Sequence, residues 1–280
     1  VKISAWTQMK PKKYYKLLLK NKFLIIVFVI FIFEFFLRTY QLDLKTPFGY
    51  DQVDNAWVAK NLIEEGRLPL VGMVAKTNSG IFIGPLYYYF ISFFYWIFNL
   101  NPVASQVVGV ISNLFNFVVI AFVFRKLFSK EVAIIGLILN TFNFHVMIFE
   151  SVQWPVQILP GVSLIIFYLL YKIITGDVKK LLLLAVSVGI AFNLHFTAIF
   201  FPIIILLCLP FFPRNKETIK YALMSLPLFL IFMIPNIIYS ITNKSSNAAT
   251  GSYLSTYYHG FHLRRMMQIL GDAIIQFDPY

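Results

Sequence analysis

The chain has 280 residues, of which 59% are hydrophobic and only 13% are charged. Soluble globular domains carry about 25% charged residues, so this composition excludes a soluble globular protein and indicates a polytopic membrane protein. The net charge of +12 does not indicate nucleic-acid binding, because the lysines and arginines lie in short clusters between apolar runs, as in cytoplasmic loops of membrane proteins. The single cysteine, Cys208, excludes an internal disulfide.

Apolar runs that are long enough, or nearly so, to cross about 30 Å of hydrocarbon recur along the chain. A basic tail, residues 1–22, precedes them and is expected to lie in the cytoplasm. The runs predict an all-α polytopic transmembrane helical bundle of about seven spans between residues 23 and 241. Their bounds are 23–37, 103–124, 132–149, 156–171, 181–196, 198–212 and 221–241.

The apolar stretch 81–100 is predicted to lie along the membrane surface. If it crossed, the loop containing Arg125 and Lys126 would lie on the opposite side from the N-terminal lysines, against the positive-inside rule. Its Tyr and Trp clusters also suit the headgroup region. The resulting layout has residues 38–102 as a first outer loop with two interfacial amphipathic helices, and residues 242–280 as an outer C-terminal segment. Six ionisable residues then share the non-cytoplasmic face: Asp51, Asp54, Glu150, His195, His259 and His262.

The stretch FGYDQVDNAWVAKNLIEEG in that first loop places Asp51 and Asp54 three residues apart. Residues at this spacing share one face of a helix. Spacing alone leaves two interpretations open: Asp51 is the N-cap of a helix with Asp54 in its first turn, or the pair belongs to an active site.

Two further patterns predict interhelical contacts. Glu34 and Arg38 stand four residues apart near the end of the first run, which predicts an ion pair. His145, Asn140 and Asn143 lie within the third run and predict hydrogen bonds between helices.

DQVDNAWVAKNLIEEGRLPL followed by GPLYYYFISFFYWIF resembles the first outer loop of the C-superfamily membrane glycosyltransferases, especially the family 39 branch related to protein O-mannosyltransferases and aminoarabinose transferases. SVQWP and LHFTA are similar to later outer segments of that family. The resemblance covers nearly the whole chain after the basic tail. It implies an inverting glycosyltransferase of the plasma membrane. A sugar would move from a polyprenyl-phosphate donor to a protein, lipid or glycan acceptor on the non-cytoplasmic face.

The resemblance also implies the site residues. Asp51 matches the catalytic aspartate that orients or deprotonates the acceptor hydroxyl, Glu150 matches a second acidic position, and Asp54 is a supporting candidate. Some relatives carry a Lys or Glu before the proline of the P-L-Y-Y segment, where this chain has Gly84. Substrate and phosphate contacts are therefore expected from other residues: Lys76, Tyr87, His195, His259, His262, Arg264 and Arg265.

Four of these residues have a plainer interpretation. Glu150 can be a carboxylate that stays in water at the end of a span, and His195 a neutral ring that bonds a backbone carbonyl at a helix end. Arg264 and Arg265 fit an interfacial helix. Asp51, Glu150 and Asp54 could hold Mg²⁺ or Mn²⁺, as one branch of the superfamily does; the branch with monosaccharide donors generally works without metal, and the sequence does not decide.

Two other function classes stay open at this stage: a transporter or lipid flippase, and a non-catalytic membrane scaffold. The charged residues favour the enzyme over the transporter, because they concentrate in outer loops instead of at mid-bilayer depth. Family members are usually longer, so the sequence leaves open whether the chain is a fragment or a minimal module.

Overall fold

The computed structural model describes residues 22–45, 48–75, 79–150 and 152–257, together with positions 264, 267, 268 and 271. Among these residues the fold is all-α, as predicted, and the β structure is limited to a bridge between Val74 and Phe82. Short 3-10 segments occur at Pro155–Gln157, Phe196–Ile199 and Leu209–Phe211. The α-helices, apart from a single turn at Leu42–Lys45, are α1 (Lys22–Thr39), α2 (Tyr50–Glu65), α3 (Leu86–Ile97), α4 (Val103–Leu127), α5 (Lys130–Phe142), α6 (Phe144–Glu150), α7 (Leu159–Ile174), α8 (Lys180–Phe192), α9 (Phe200–Cys208), α10 (Lys216–Thr242) and α11 (Lys244–Tyr257).

The distribution of side chains is that of a membrane protein. Three described helical segments are long and apolar enough to cross a bilayer: Val103–Leu127, Pro155–Ile174 and Lys216–Thr242. Large apolar residues such as Leu207 and Leu223 are exposed, whereas Ser105, Asn113 and Asn116 of α4 are buried. Lipid solvates the apolar exterior, and polar side chains pair between helices. The count of about seven spans remains a prediction.

Contacts between helices define two ends of the bundle. The guanidinium of Arg125 lies 5.0 Å from the ring centre of Phe23, so the start of α1 and the end of α4 meet at one end, which we call the basic end. The far end of α1 meets the end of α5, where Arg38 donates to the carbonyl of Thr141 (2.7 Å). Helices α1 and α5 therefore run in one direction and α4 in the other, as the charge pattern predicts.

Helix α3 lies at the end opposite the basic end. It has 12 residues, which span about 18 Å, less than the roughly 30 Å of a hydrocarbon core. One of its faces is buried, with Tyr87, Ile91 and Tyr95 packed against the core of α4, α7 and α8. That stretch 81–100 does not cross the membrane remains a prediction.

The predicted span 132–149 contains a break in the helix at Asn143. Asn143 has φ −75° and ψ 115°, and its Oδ1 accepts from the backbone N–H of Val146 (3.1 Å). An Asn side chain that caps a following helix competes with continuation of the preceding one. Asn143 is therefore a cap and not the interhelical partner predicted, whereas Asn140 makes the predicted type of bond through its Nδ2 to Oε1 of Glu34 (3.4 Å).

The predicted ion pair between Glu34 and Arg38 is confirmed. Arg38 Nε lies 3.2 Å from Glu34 Oε1, and both side chains are buried. The predicted span 181–196 ends earlier than expected, because α8 stops at Phe192 and the chain turns at Asn193.

Candidate functional site

A cavity of about 340 Å³ lies at the end of the bundle opposite the basic end. Asp51 of α2, Trp154 of the SVQWP motif and His195 of the LHFTA motif all line it. Four residues of the paired segments 72–75 and 81–84 also line it: Met73, Val74, Ala75 and Ile83. The structure thus brings together residues that are about 40 to 140 positions apart in the sequence. The volume of the cavity falls within the 300–1,000 Å³ range of small-molecule sites.

The carboxylate of Asp51 is not used for helix capping. Gly49 is the N-cap of α2, and Oε1 of Gln52 accepts from the Gly49 N–H (3.0 Å). The interpretation of Asp51 as an N-cap is therefore wrong; Asp51 lies in the first turn, half-buried. Within the described part of the chain it has no hydrogen-bond or ion-pair partner. It is therefore available to a ligand in the cavity.

A tyrosine that the sequence analysis overlooked lies close to both aspartates. Burial, and to a smaller extent the negative charges of Asp54 and Asp51, raise the pKa of Tyr88 to about 12. The phenol therefore stays protonated at neutral pH, and the side chain of Tyr88 is buried. Helical spacing could have indicated it, since α2 packs on α3 and Tyr88 lies on the buried face of α3.

Tyr87, the tyrosine that was predicted to contact substrate, is more deeply placed. Nε2 of Gln153 donates to its hydroxyl oxygen (2.9 Å), and burial raises the pKa of the phenol. Tyr87 lines a second cavity of about 450 Å³, whose walls include Phe90, Phe115 and Ile165. Leu194 lines both this apolar cavity and the cavity that contains Asp51.

Gln153 holds the SVQWP segment in place through three hydrogen bonds. Its carbonyl accepts from Nε2 of Gln52 (3.0 Å), its Oε1 accepts from the hydroxyl of Ser105 (3.2 Å), and its Nε2 donates to Tyr87. These partners lie on α2, α4 and α3 respectively. Because all of them are buried, they fix the backbone directly before Trp154.

His195 has a structural bond and also faces the cavity. It is the N-cap of the 3-10 turn Phe196–Ile199, and its Nδ1 accepts from the backbone N–H of Thr197 (3.3 Å). The bond therefore goes to an amide, not to the carbonyl that the plainer interpretation expected. Nδ1 also lies 2.9 Å from the hydroxyl oxygen of Thr197. In the tautomer in which Nδ1 accepts from both groups of Thr197, the proton of the neutral ring is on Nε2, and Nε2–H is the donor that a ligand can use.

The structure explains why Gly84 stands where some relatives carry Lys or Glu. A Cβ atom at this position would lie 1.8 Å from Oδ1 of Asn193. Asn193 cannot yield easily, because its Oδ1 accepts from the Leu86 N–H (3.2 Å) and its Nδ2 donates to the carbonyls of Gly189 (2.9 Å) and Phe232 (3.3 Å). Any side chain at position 84 would therefore displace the turn that carries His195.

Several predicted site residues cannot be placed. Lys76, His259, His262 and Arg265 lie outside the described residues, as does the side chain of Glu150, although the backbone of Glu150 ends α6. Two further predicted residues, Asp54 and Arg264, are exposed and do not line the cavity.

The described side chains do not form a divalent-cation site. No three His, Cys, Asp or Glu side chains come together among them, so Asp51 has no second or third ligand of these types there.

A protein-family model described as dolichyl-phosphate-mannose-protein mannosyltransferase matches residues 83–239, more than half of the chain. The chain belongs to this family. It is therefore a membrane glycosyltransferase of the mannosyltransferase kind. The match includes Tyr87, Trp154 and His195, whereas Asp51 precedes it. No curated protein and no solved structure shows significant similarity to the chain.

Proposed function

We propose that this mannosyltransferase-family protein transfers a sugar from a polyprenyl-phosphate donor to an acceptor hydroxyl on the non-cytoplasmic face of the plasma membrane, with inversion. One observation carries the proposal: Asp51, whose carboxylate has no partner among the described residues, lines the same cavity as His195 and Trp154, and this cavity borders a second, apolar cavity at Leu194. A polar site beside an apolar one suits a donor whose sugar phosphate is polar and whose chain is apolar.

In the proposed reaction, Asp51 accepts the proton of the acceptor hydroxyl as its oxygen attacks the anomeric carbon. The bond between that carbon and the donor phosphate oxygen breaks, and polyprenyl phosphate leaves on the opposite face of the sugar, which inverts its configuration. A carboxylate that is half-buried and otherwise unpaired is suited to general-base catalysis.

The other residues of the cavity have proposed supporting roles. The Nε2–H of His195 donates to the sugar or to the phosphate, and Trp154 provides an aromatic wall for the sugar ring. Lys76, Arg264, Arg265, His259 and His262 remain proposed phosphate contacts, because Arg and Lys are common ligands of phosphate. Glu150 and Asp54 remain proposed as supporting carboxylates.

The proposed orientation follows from the distribution of charge. Arg125 and the start of α1 share the basic end, and basic loops favour the cytoplasm. The cavity lies at the opposite end, out of reach of cytoplasmic nucleotide sugars. A donor carried by a membrane lipid is therefore favoured over a nucleotide sugar.

The proposal is tested with the purified chain in lipid vesicles that contain a general acceptor mixture. Radiolabelled polyprenyl-phosphate mannose is compared with a nucleotide sugar, and the anomeric configuration of the product is determined. We expect transfer from the lipid donor only, with inverted configuration. Transfer from the nucleotide sugar, or with retained configuration, would contradict the proposal, and the absence of transfer from either donor would favour the scaffold interpretation.

A further inference from the structure

Arg38 makes contacts beyond its ion pair with Glu34. Its Nη1 donates to the carbonyl of Thr141 (2.7 Å) and its Nη2 to the carbonyl of Asn140 (3.0 Å). Both side chains of the ion pair are buried. Other residues of α1, such as Phe28 and Phe36, are apolar and exposed. Ionisable residues at such depth are costly and are retained for a role.

The two carbonyls that Arg38 contacts are those released by the break at Asn143. In an unbroken helix, the carbonyls of Asn140 and Thr141 would accept from the amides four residues later. Helix α5 ends at Phe142, so its last carbonyls need other donors. The guanidinium supplies two of them, and its positive charge also favours the C-terminal end of a helix dipole. Arg38 therefore caps α5 from a neighbouring helix, and Glu34 holds the guanidinium in place.

The break leads directly to the candidate active site. Helix α6 follows it, and Nε2 of Gln157 donates to the carbonyl of Phe149 (3.3 Å), which ties the end of α6 to the segment after Trp154. Residues 152–157, which we call the strap, are held by the bonds of Gln153 and, through Gln157, by the end of α6, so the direction in which α6 leaves the break contributes to their position. Trp154, Pro155 and Val156 of the strap line the cavity.

We propose that Glu34 and Arg38 are positioning residues for the sugar-transfer site: they stabilise the break between α5 and α6 and so set the position of the strap. Neither residue lines the cavity. This inference rests on the proposed function for its effect on catalysis, but its effect on the strap can be measured independently.

The test uses the full chain with Trp6, Trp57 and Trp96 replaced by Phe, so that Trp154 alone reports on the strap. Glu34→Gln combined with Arg38→Met removes the cap without leaving a lone buried charge. We expect greater quenching of Trp154 by acrylamide and a red shift of its emission. Since displacement of a site by about 1 Å can lower the rate about 100-fold, kcat should fall by about that factor, with a smaller change in KM.

Two further variants separate positioning from general destabilisation. Leu137→Ala opens a cavity in the core between α1, α4 and α5 without touching the break; it should lower the unfolding temperature but leave the Trp154 signal unchanged. Arg38→Lys keeps the ion pair but lacks the two-pronged donor, so it should show the same changes as the double variant to a smaller extent, and it serves if the double variant fails to fold.

Unchanged quenching and emission of Trp154 in the capping variants would overturn the inference, as would changes that merely follow the loss of stability seen in Leu137→Ala. If the wild-type chain transfers no sugar, the proposed function fails, and the Trp154 measurement still decides the positioning role.

Discussion

Replacing Gln153 with Leu should destabilise the fold strongly, because its side chain satisfies two buried hydroxyls. Ser105 and Tyr87 are each about 2% exposed or less, and Gln153 is fully buried. A buried polar group that loses its partner costs about 1–3 kcal/mol, so the substitution should lower the free energy of unfolding by about 2–5 kcal/mol. The bond from Gln52 to the main-chain carbonyl of residue 153 survives the substitution.

The assay is equilibrium unfolding in mixed micelles, followed by the helical circular-dichroism signal. Adding Tyr87→Phe removes one of the orphaned groups, so the double variant should be less destabilised than the sum of the single variants by about 1–2 kcal/mol. Ser163→Ala is the matched control, because that hydroxyl bonds only the carbonyl of Leu159 in its own helix; its effect should stay within about 0.5 kcal/mol. Additive single effects, or a Gln153→Leu variant as stable as the wild type, would refute the role given to Gln153.

Three other predictions concern the site and the topology. Gly84→Ala should lower the free energy of unfolding by about 1–3 kcal/mol or more, because its Cβ would collide with Asn193, whereas Gly251→Ala, with open space around it, should be neutral or stabilising; similar thermal unfolding of the two variants would contradict this. His195→Asn keeps an acceptor for the turn but removes Nε2, so transfer should fall about 10- to 100-fold, as for loss of a hydrogen bond to a charged group; unchanged transfer would leave His195 as a cap only. In a cysteine-free background, Lys126→Cys should react with an impermeant thiol reagent only from the cytoplasmic side, and labelling from outside would overturn the predicted topology.

The sequence predicted the all-α bundle because this feature depends on local patterns. Apolar runs mark helices, and the positions of Arg125 and Lys126 relative to the N-terminal lysines gave the correct arrangement of α1 and α4. The ion pair between Glu34 and Arg38 also followed from i, i+4 spacing.

The features that the sequence did not predict depend on contacts between distant residues. Asn143 lies in an apolar run, and the carbonyls of Asn140 and Thr141 next to the break are bonded by Arg38, which lies more than 100 positions earlier. Gln153 looks like an ordinary loop residue until its partners on α2, α3 and α4 are known. The requirement for Gly84 likewise comes from Asn193, which lies more than 100 positions later in the chain.

The most direct test of the proposed mechanism compares Asp51→Asn with the wild-type chain in vesicles supplied with radiolabelled polyprenyl-phosphate mannose. Glu64→Gln is the matched control, because Glu64 is also on α2 but is exposed and lies outside the cavity. Removal of a general base typically costs about 10²- to 10⁴-fold in rate. We predict a loss of this size for Asp51→Asn in a protein that still folds, and less than about 10-fold for Glu64→Gln. Transfer at the wild-type rate by Asp51→Asn would contradict the assignment of Asp51 as the catalytic base.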